Sequence, residues 1–148
     1  MLGVVLVSNN VVFEDYSMQC KAALKNTAVA FLHEAAGEIV SQTQRNYDSA
    51  GRVDTGQTKG SFQHQVDSGT LTATMGSNEQ NAIWEEFGTG IHALQGNGRK
   101  TPWTYKDKKT GKWYTTHGKT GHRPFFTAYN NLKSRIIALA KERFGSMS

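Results

Sequence analysis

Cysteine and proline are nearly missing from this sequence. Its 148 residues include one cysteine, two prolines and no long apolar run. A lone Cys20 excludes an internal disulfide and leaves no thiolate cluster for zinc, which fits a reducing compartment. We expect it to behave as a small buried apolar side chain, not as a nucleophile. Two prolines are too few for a Pro-rich disordered chain. The apolar opening, Met1 to Val7, has no basic residue before its core and is broken by Ser8, Asn9 and Asn10. It therefore reads as a β-strand, and neither as a signal peptide nor as a membrane span. A chain of this length is expected to form one domain, residues 1–148, and to bury roughly 70% of its unfolded surface.

Glycine is plentiful, with 15 residues, and so is positive charge in one place. The net charge is only +5, but Arg99, Lys100, Lys106, Lys108, Lys109, Lys112, Lys119 and Arg123 face a single acidic residue, Asp107, within the same stretch.

The periodicities predict an α+β fold. Leu24, Ala28, Phe31, Leu32, Ala35 and Ile39 fall on one face of a 3.6-residue repeat, giving a long helix from about Asp15 to about Tyr47 with a weak point at Gly37. Turn formers at 48–57 end it. Phe62, His64 and Val66 then alternate with polar residues, as do Leu71, Ala73 and Met75, with Asp67-Ser68-Gly69 as the turn between two strands. His64 reads as a half-buried strand residue. A second hairpin, projecting over about 99–118, pairs a strand at Trp103 and Tyr105 with one starting at Trp113 and Tyr114, through a turn at Asp107 to Gly111. Gly88, Gly90, Gly96 and Gly98 predict a mobile loop before it. Pro124 opens a last helix whose stripe is Phe125, Leu132, Ile136, Leu139, Ala140 and Phe144. The order implies an antiparallel β-sheet packed against a long N-terminal helix and a C-terminal helix.

The segment "TTHGKTGHRPFF" (115–126) ends like a phosphate-binding loop. Such a loop needs a glycine, four residues, then Gly-Lys-Ser/Thr, so that backbone amides wrap the phosphate. Here Trp113 stands where that first glycine belongs, which excludes the nucleotide reading. His117 and His122 lie five apart with no third ligand at a metal-site spacing. Glu85 and Glu86 are adjacent, so they diverge on either a helix or a strand and cannot act as a facing acid–base pair; one is expected to be structural and the other solvated. No cofactor, metal or catalytic residue is expected, and the segment is read as a glycine joint between the hairpin and the last helix. The basic hairpin has two readings. In one, its lysines protect an exposed edge. In the other, Arg99, Lys100, Lys108, Lys109, Lys112 and Lys119 meet nucleic-acid phosphates beside stacking rings.

Three segments in this order, "VDTGQTKGS" (53–61), "AIWEEFGTG" (82–90) and "HRPFFTAY" (122–129), resemble the small tailed-bacteriophage morphogenesis proteins of the gene-product-ten-like type. The resemblance spans roughly residues 10–145 and rests on Thr55, Gly56, Glu86, Phe87, Gly88, Thr89, Arg123, Pro124 and Phe125. Thr58 stands where that family usually has leucine, and His122 and Thr127 where it has prolines. The resemblance implies a non-enzymatic tail-completion or head–tail joining component, found in the virion neck or tail and made in the host cytoplasm. Its implied partners are further copies in a ring, most simply a hexamer, other phage neck or tail proteins, and passing DNA, with no membrane. The isolated chain is expected to be monomeric. Trp103, Tyr105, Trp113 and Tyr114 are the candidate subunit interface, because a two-stranded ribbon is marginal alone and its rings need a partner. Arg123 is expected to pair with Glu85 or Glu86.

Overall fold

The computed structural model describes residues 15–51 and 56–145, together with the backbone of 6–8 and 11–13. The elements are β1 (Leu6–Ser8), β2 (Val11–Phe13), α1 (Ser17–Ser49), α2 (Gln57–Gly60), β3 (Gln63–Asp67), β4 (Thr72–Gly76), α3 (Gln80–Phe87), a 3-10 turn (Gly90–His92), β5 (Trp103–Lys106), β6 (Trp113–Thr116) and α4 (Pro124–Gly145). The class is α+β, as the alternation of periods predicts. All strand pairs are antiparallel, and they are distributed over three two-stranded ladders. The opening strand continues into a partner, β2, that the sequence reading did not contain; residues 1–5 of the expected strand lie outside the described residues.

The helix α1 is 33 residues long, about 50 Å at 1.5 Å per residue. It runs unbroken through Gly37, over which the His64 ring lies 3.6 Å from where a side chain would begin. The helix α4 packs along it in the opposite direction. Asn46 donates to the Pro124 carbonyl (2.8 Å), Arg135 pairs with Glu38 (2.9 Å), Arg143 pairs with Glu34, and the Phe31 and Phe144 rings meet edge to face at 5.7 Å. Small buried residues allow the approach: Ala35, Ala36, Ala128 and Thr43, whose hydroxyl bonds back to the Ile39 carbonyl (2.8 Å).

The hairpin β3–β4 packs on the same helix, in the register expected from its alternation: His64 faces Met75 and Val66 faces Ala73. His64 is half-buried, its ring edge against His33 with nitrogens 3.3 Å apart. The core proper joins Val40, Tyr47, Phe62 and Ala82, with Met75 and Phe125 against them. Phe62 is its centre, tilted against Tyr47 at 5.6 Å and stacked on Phe125 at 6.4 Å.

Both hairpin turns use the same device. Asp67 accepts from the amides of Gly69 and Thr70, and Asp107 from those of Lys109 and Thr110. A short side chain that bonds the backbone two and three residues on reproduces a turn's own hydrogen bond. These bonds hold both carboxyls below the ordinary aspartate range.

One expectation fails at the start of α1. Cys20 is exposed, not buried, and so is every residue from Asp15 to Asn26. The apolar stripe begins at Leu24, but among the described residues the last ring contact of α4 on α1 is Phe144 against Phe31.

Candidate functional site

Two segments far apart in sequence, 85–91 and 117–126, run antiparallel and lock together. The Thr89 amide donates to the Lys119 carbonyl (2.8 Å) and the Ile91 amide to the His117 carbonyl (3.0 Å). The Lys119 amide returns a bond to the Thr89 hydroxyl (3.0 Å). The Glu85 carbonyl accepts from the amides of His122 (2.7 Å) and Arg123 (3.2 Å). Backbones this close leave no room for side chains. A Cβ on Gly90 would collide with the His117 carbonyl, one on Gly118 with the Thr89 carbonyl, and one on Gly88 would lie 2.8 Å from the Gly121 nitrogen. Gly88 and Gly90 also have φ of 74° and 61°, a region that glycine alone enters without strain.

The glycines are therefore the sign of close packing, not of mobility. The loop expected over 88–100 is pinned at its start: its first turn is the 3-10 turn, and the Leu94 amide reaches back to the Phe87 carbonyl (2.9 Å). "HGKTGHRPFF" builds a joint, as the sequence reading expects.

The two adjacent glutamates both serve this joint, which corrects the expectation that one would be solvated. Glu85 is buried, at 4% exposure, and pairs with the Lys119 ammonium. The Glu86 carboxylate receives the amides of Phe125 and Phe126, each at 3.0 Å. Those are the first free amides of α4, where a negative group meets both the unpaired donors and the positive end of the helix dipole. Pro124, at the first position, has no amide to satisfy. Because both carboxylates are engaged, Arg123 has no acidic partner among the described residues, contrary to the expected pairing. Its guanidinium lies 3.6 Å from the Phe126 ring, and its Nε is buried without a hydrogen bond. The backbone of Arg123 is also left-handed, at φ 53°, which turns the chain sharply into α4.

Of the family-motif residues, Glu86, Phe87, Gly88, Thr89, Arg123, Pro124 and Phe125 are brought together here. Gly56 is elsewhere, starting α2 with φ 79° and accepting the Gly60 amide (2.8 Å). Thr55 lies outside the described residues.

The hairpin β5–β6 stands on the joint. Its register pairs Trp103 with Thr116, Tyr105 with Tyr114 and Lys106 with Trp113. Alternation then puts Trp103, Tyr105 and Tyr114 on one face and Trp113 on the other. The four rings expected to make one interface thus divide between two faces. The first face, with Trp84 of α3, Arg99 and Lys119, borders an open groove of about 580 Å³. Arg99 stacks over Trp103 at 5.7 Å, and the two tyrosines meet at 5.9 Å. Trp113, 69% exposed, faces away from it.

The basic residues divide too. Arg99, Lys100, Lys108, Lys109 and Lys112 are exposed, the last three at the hairpin turn. Lys119 is half-buried and neutralised by Glu85, so it is the least suited of the six to meet a phosphate. No group of three His, Cys, Asp or Glu that could hold a metal occurs among the described residues.

A second groove, of about 320 Å³, opens on the other side of the joint, between α3, the end of β4 and the first turns of α4. Ile83, Phe87, Phe126 and Tyr129 line it and are 39–51% exposed. Sequence reasoning missed this groove because α3 is only 8 residues long, too short for its period to stand out. The one available signal was a dense set of apolar residues in two segments already picked out as motifs. Comparison with protein-family models, with curated proteins and with solved structures finds no match for the chain.

Proposed function

We propose that this protein is a non-enzymatic structural component of a tailed phage, acting in tail completion or head–tail joining as a ring at the neck or upper tail. The observation that carries this reading is the joint. Two of the three segments that resemble the phage family, 40 residues apart in sequence at Glu86 and Phe126, bond directly to one another. A shared motif whose parts support each other physically is stronger support than the same letters scattered through a fold. The residue chemistry agrees with a structural role. The glutamates, the chain's best candidates for acid–base work, cap a helix and neutralise a lysine. Aromatic and basic side chains on the projecting hairpin remain available for neighbouring virion proteins.

The deciding experiment deletes the gene from a phage that encodes it. Unjoined heads and tails are the expected product, rescued by the intact chain in trans. Infectious, normally joined particles from the deletion would refute the role.

The basic hairpin keeps a second reading, contact with nucleic acid, supported by the exposed Lys108, Lys109 and Lys112 at its turn. Sequence-blind contact of this kind is compatible with a ring that surrounds DNA.

A further inference from the structure

The groove between α3 and the inner face of the hairpin combines flat rings with positive charge. Helix α3 contributes Asn81 and Trp84, β5 contributes Trp103 and Tyr105, and the joint contributes Thr89 and Lys119. Trp84 and Tyr105 keep 45% and 47% of their surface exposed. Residues two apart on one strand face stand about 7 Å from each other, so Trp103 and Tyr105 present a row of rings. The joint meets α1 at Asn46, about 45 Å along the helix from Ser17, so the groove lies at the opposite end of α1 from its start.

No acidic residue lines this groove among the described residues. Arg99 holds its guanidinium over Trp103 at 5.7 Å, and its Nε donates to the Thr101 hydroxyl (3.1 Å). The exposed Lys100 follows it. Lys119 is neutralised by Glu85, which leaves Arg99 as the groove's own unneutralised charge. Asp107, the single acidic residue between Arg99 and Arg123, spends its carboxylate on the amides of the hairpin turn.

Rings beside a guanidinium match a ligand that carries one flat ring and one negative charge in every unit, which is the make-up of a nucleotide. An acidic peptide would answer the charge and leave the rings idle. Duplex DNA would answer the charge too, but its base faces are stacked inside the helix, beyond the reach of rings set in a groove. The volume of about 580 Å³ lies within the roughly 300–1,000 Å³ of sites for small organic ligands, enough for a nucleoside with its phosphate. We infer that this groove binds single-stranded nucleic acid: unpaired bases stack on Trp84 and Tyr105, a phosphate meets Arg99, and the strand continues along the hairpin toward Lys108, Lys109 and Lys112. This rests on the second reading above, contact of the basic hairpin with nucleic acid, and gives that contact a strand type and a face. Trp113, on the other face, takes no part.

Two of the chain's three tryptophans line the groove, so in full-length Trp113→Phe all tryptophan emission comes from it. A short oligothymidine should quench that emission, and a duplex of the same length should bind more weakly without quenching. Trp84→Ala or Tyr105→Ala should weaken oligothymidine binding roughly 5- to 150-fold, the worth of one lost stack, and Trp113→Ala should leave it unchanged. Arg99→Gln should lower the log–log salt slope by about 0.7. Stacking and phosphate contact use no 2′-hydroxyl, so oligouridine should compete equally; a preference beyond about tenfold for either sugar overturns the account. Melting curves establish which variants are folded, and Tyr105→Ala and Arg99→Gln alter exposed side chains, so the test stands even where Trp84→Ala unfolds. If Trp84→Ala and Tyr105→Ala bind as the wild type while Lys108, Lys109 and Lys112 replaced together by glutamine do not, the groove is overturned and phosphate contact at the turn survives. Equal binding of a polyglutamate peptide overturns it in favour of an acidic partner. No binding of either nucleic acid at low salt removes the groove and the nucleic-acid reading together.

Discussion

Replacing Gly90 with alanine puts the joint under the most direct strain. Gly90 is buried with φ 61°, and its added methyl would collide with the His117 carbonyl. A left-handed backbone costs an L-residue roughly 1–2 kcal/mol by itself. Relieving the collision requires the two segments to separate by roughly 1 Å or more, because carbon contacts settle near 3.5 Å. The flanking bonds, Thr89 to Lys119 at 2.8 Å and Ile91 to His117 at 3.0 Å, cannot survive that displacement. At about 1 kcal/mol each, their loss brings the expected total to about 3–4 kcal/mol. Domains of this length lose about 2–4 °C in melting temperature per kcal/mol, so Gly90→Ala should melt roughly 6–16 °C lower.

Gly96→Ala isolates the conformational part. Its φ is 70°, and nothing lies within 4 Å of the new methyl, so only the roughly 1–2 kcal/mol of backbone strain applies. Gly118→Ala attacks the same joint from the other strand, by meeting the Thr89 carbonyl. Combined with Gly90→Ala it should cost less than the sum, because a joint already opened cannot be opened again. Urea and thermal melts of the four variants measure all of this. Equal losses for Gly90→Ala and Gly96→Ala would show that the close approach stores no stability and that the glycines serve turns alone.

Glu86→Ala should cost about 1–2 kcal/mol through the lost cap of α4, and Glu86→Gln, which keeps one carbonyl acceptor, about half as much. Trp113→Ala should change stability by under about 0.5 kcal/mol, as exposed substitutions do; with Trp103→Ala added, the monomer should still fold but fail to enter particles, and an unfolded monomer would assign those rings to its own core. Burial and the charges of Glu85 and Glu86 push the Tyr47 phenol well above its usual 10.0; the folded chain holds that proton more tightly, so stability present below that pH is lost as pH rises past it. Tyr47→Phe should abolish this alkaline loss in melts between neutral and strongly basic pH, and should cost nothing at neutral pH because the hydroxyl has no hydrogen-bond partner. If Lys108, Lys109 and Lys112 meet phosphates, replacing all three by glutamine should flatten the salt dependence of DNA binding by about 2.7 in log–log slope; no binding at low salt ends that reading.

The large elements were legible because their signal is periodic. The α1 stripe, both hairpins and the proline start of α4 follow from spacing alone, and even the two aspartate turns lie at the expected positions. Where the sequence misled, long-range contact decided. Nothing near Cys20 says that its stretch of helix is exposed, and nothing near Gly90 says that a second strand passes within touching distance. Glycine is ambiguous in just this way, since mobility and crowding both favour it. The paired glutamates show the same limit: adjacency told correctly that they diverge, but only the fold reveals that each has a partner about 34–40 residues away.

The joint also closes a ring of chain. Bonds between 89–91 and 117–119 tie off everything from Leu94 to Thr116 as an insert whose two ends leave the body side by side. The entropy of closing such a loop grows only slowly with length, by about 0.6 kcal/mol per doubling; the joint holds the loop's base through Leu94 and Gly98, while β5 and β6 pair with each other beyond it. The hairpin is therefore a replaceable cassette. Its rings and charges can be exchanged, lengthened or trimmed to suit a different neighbour while the scaffold beneath keeps its own sequence rules, so partner choice and foldability are free to evolve on separate parts of one short chain.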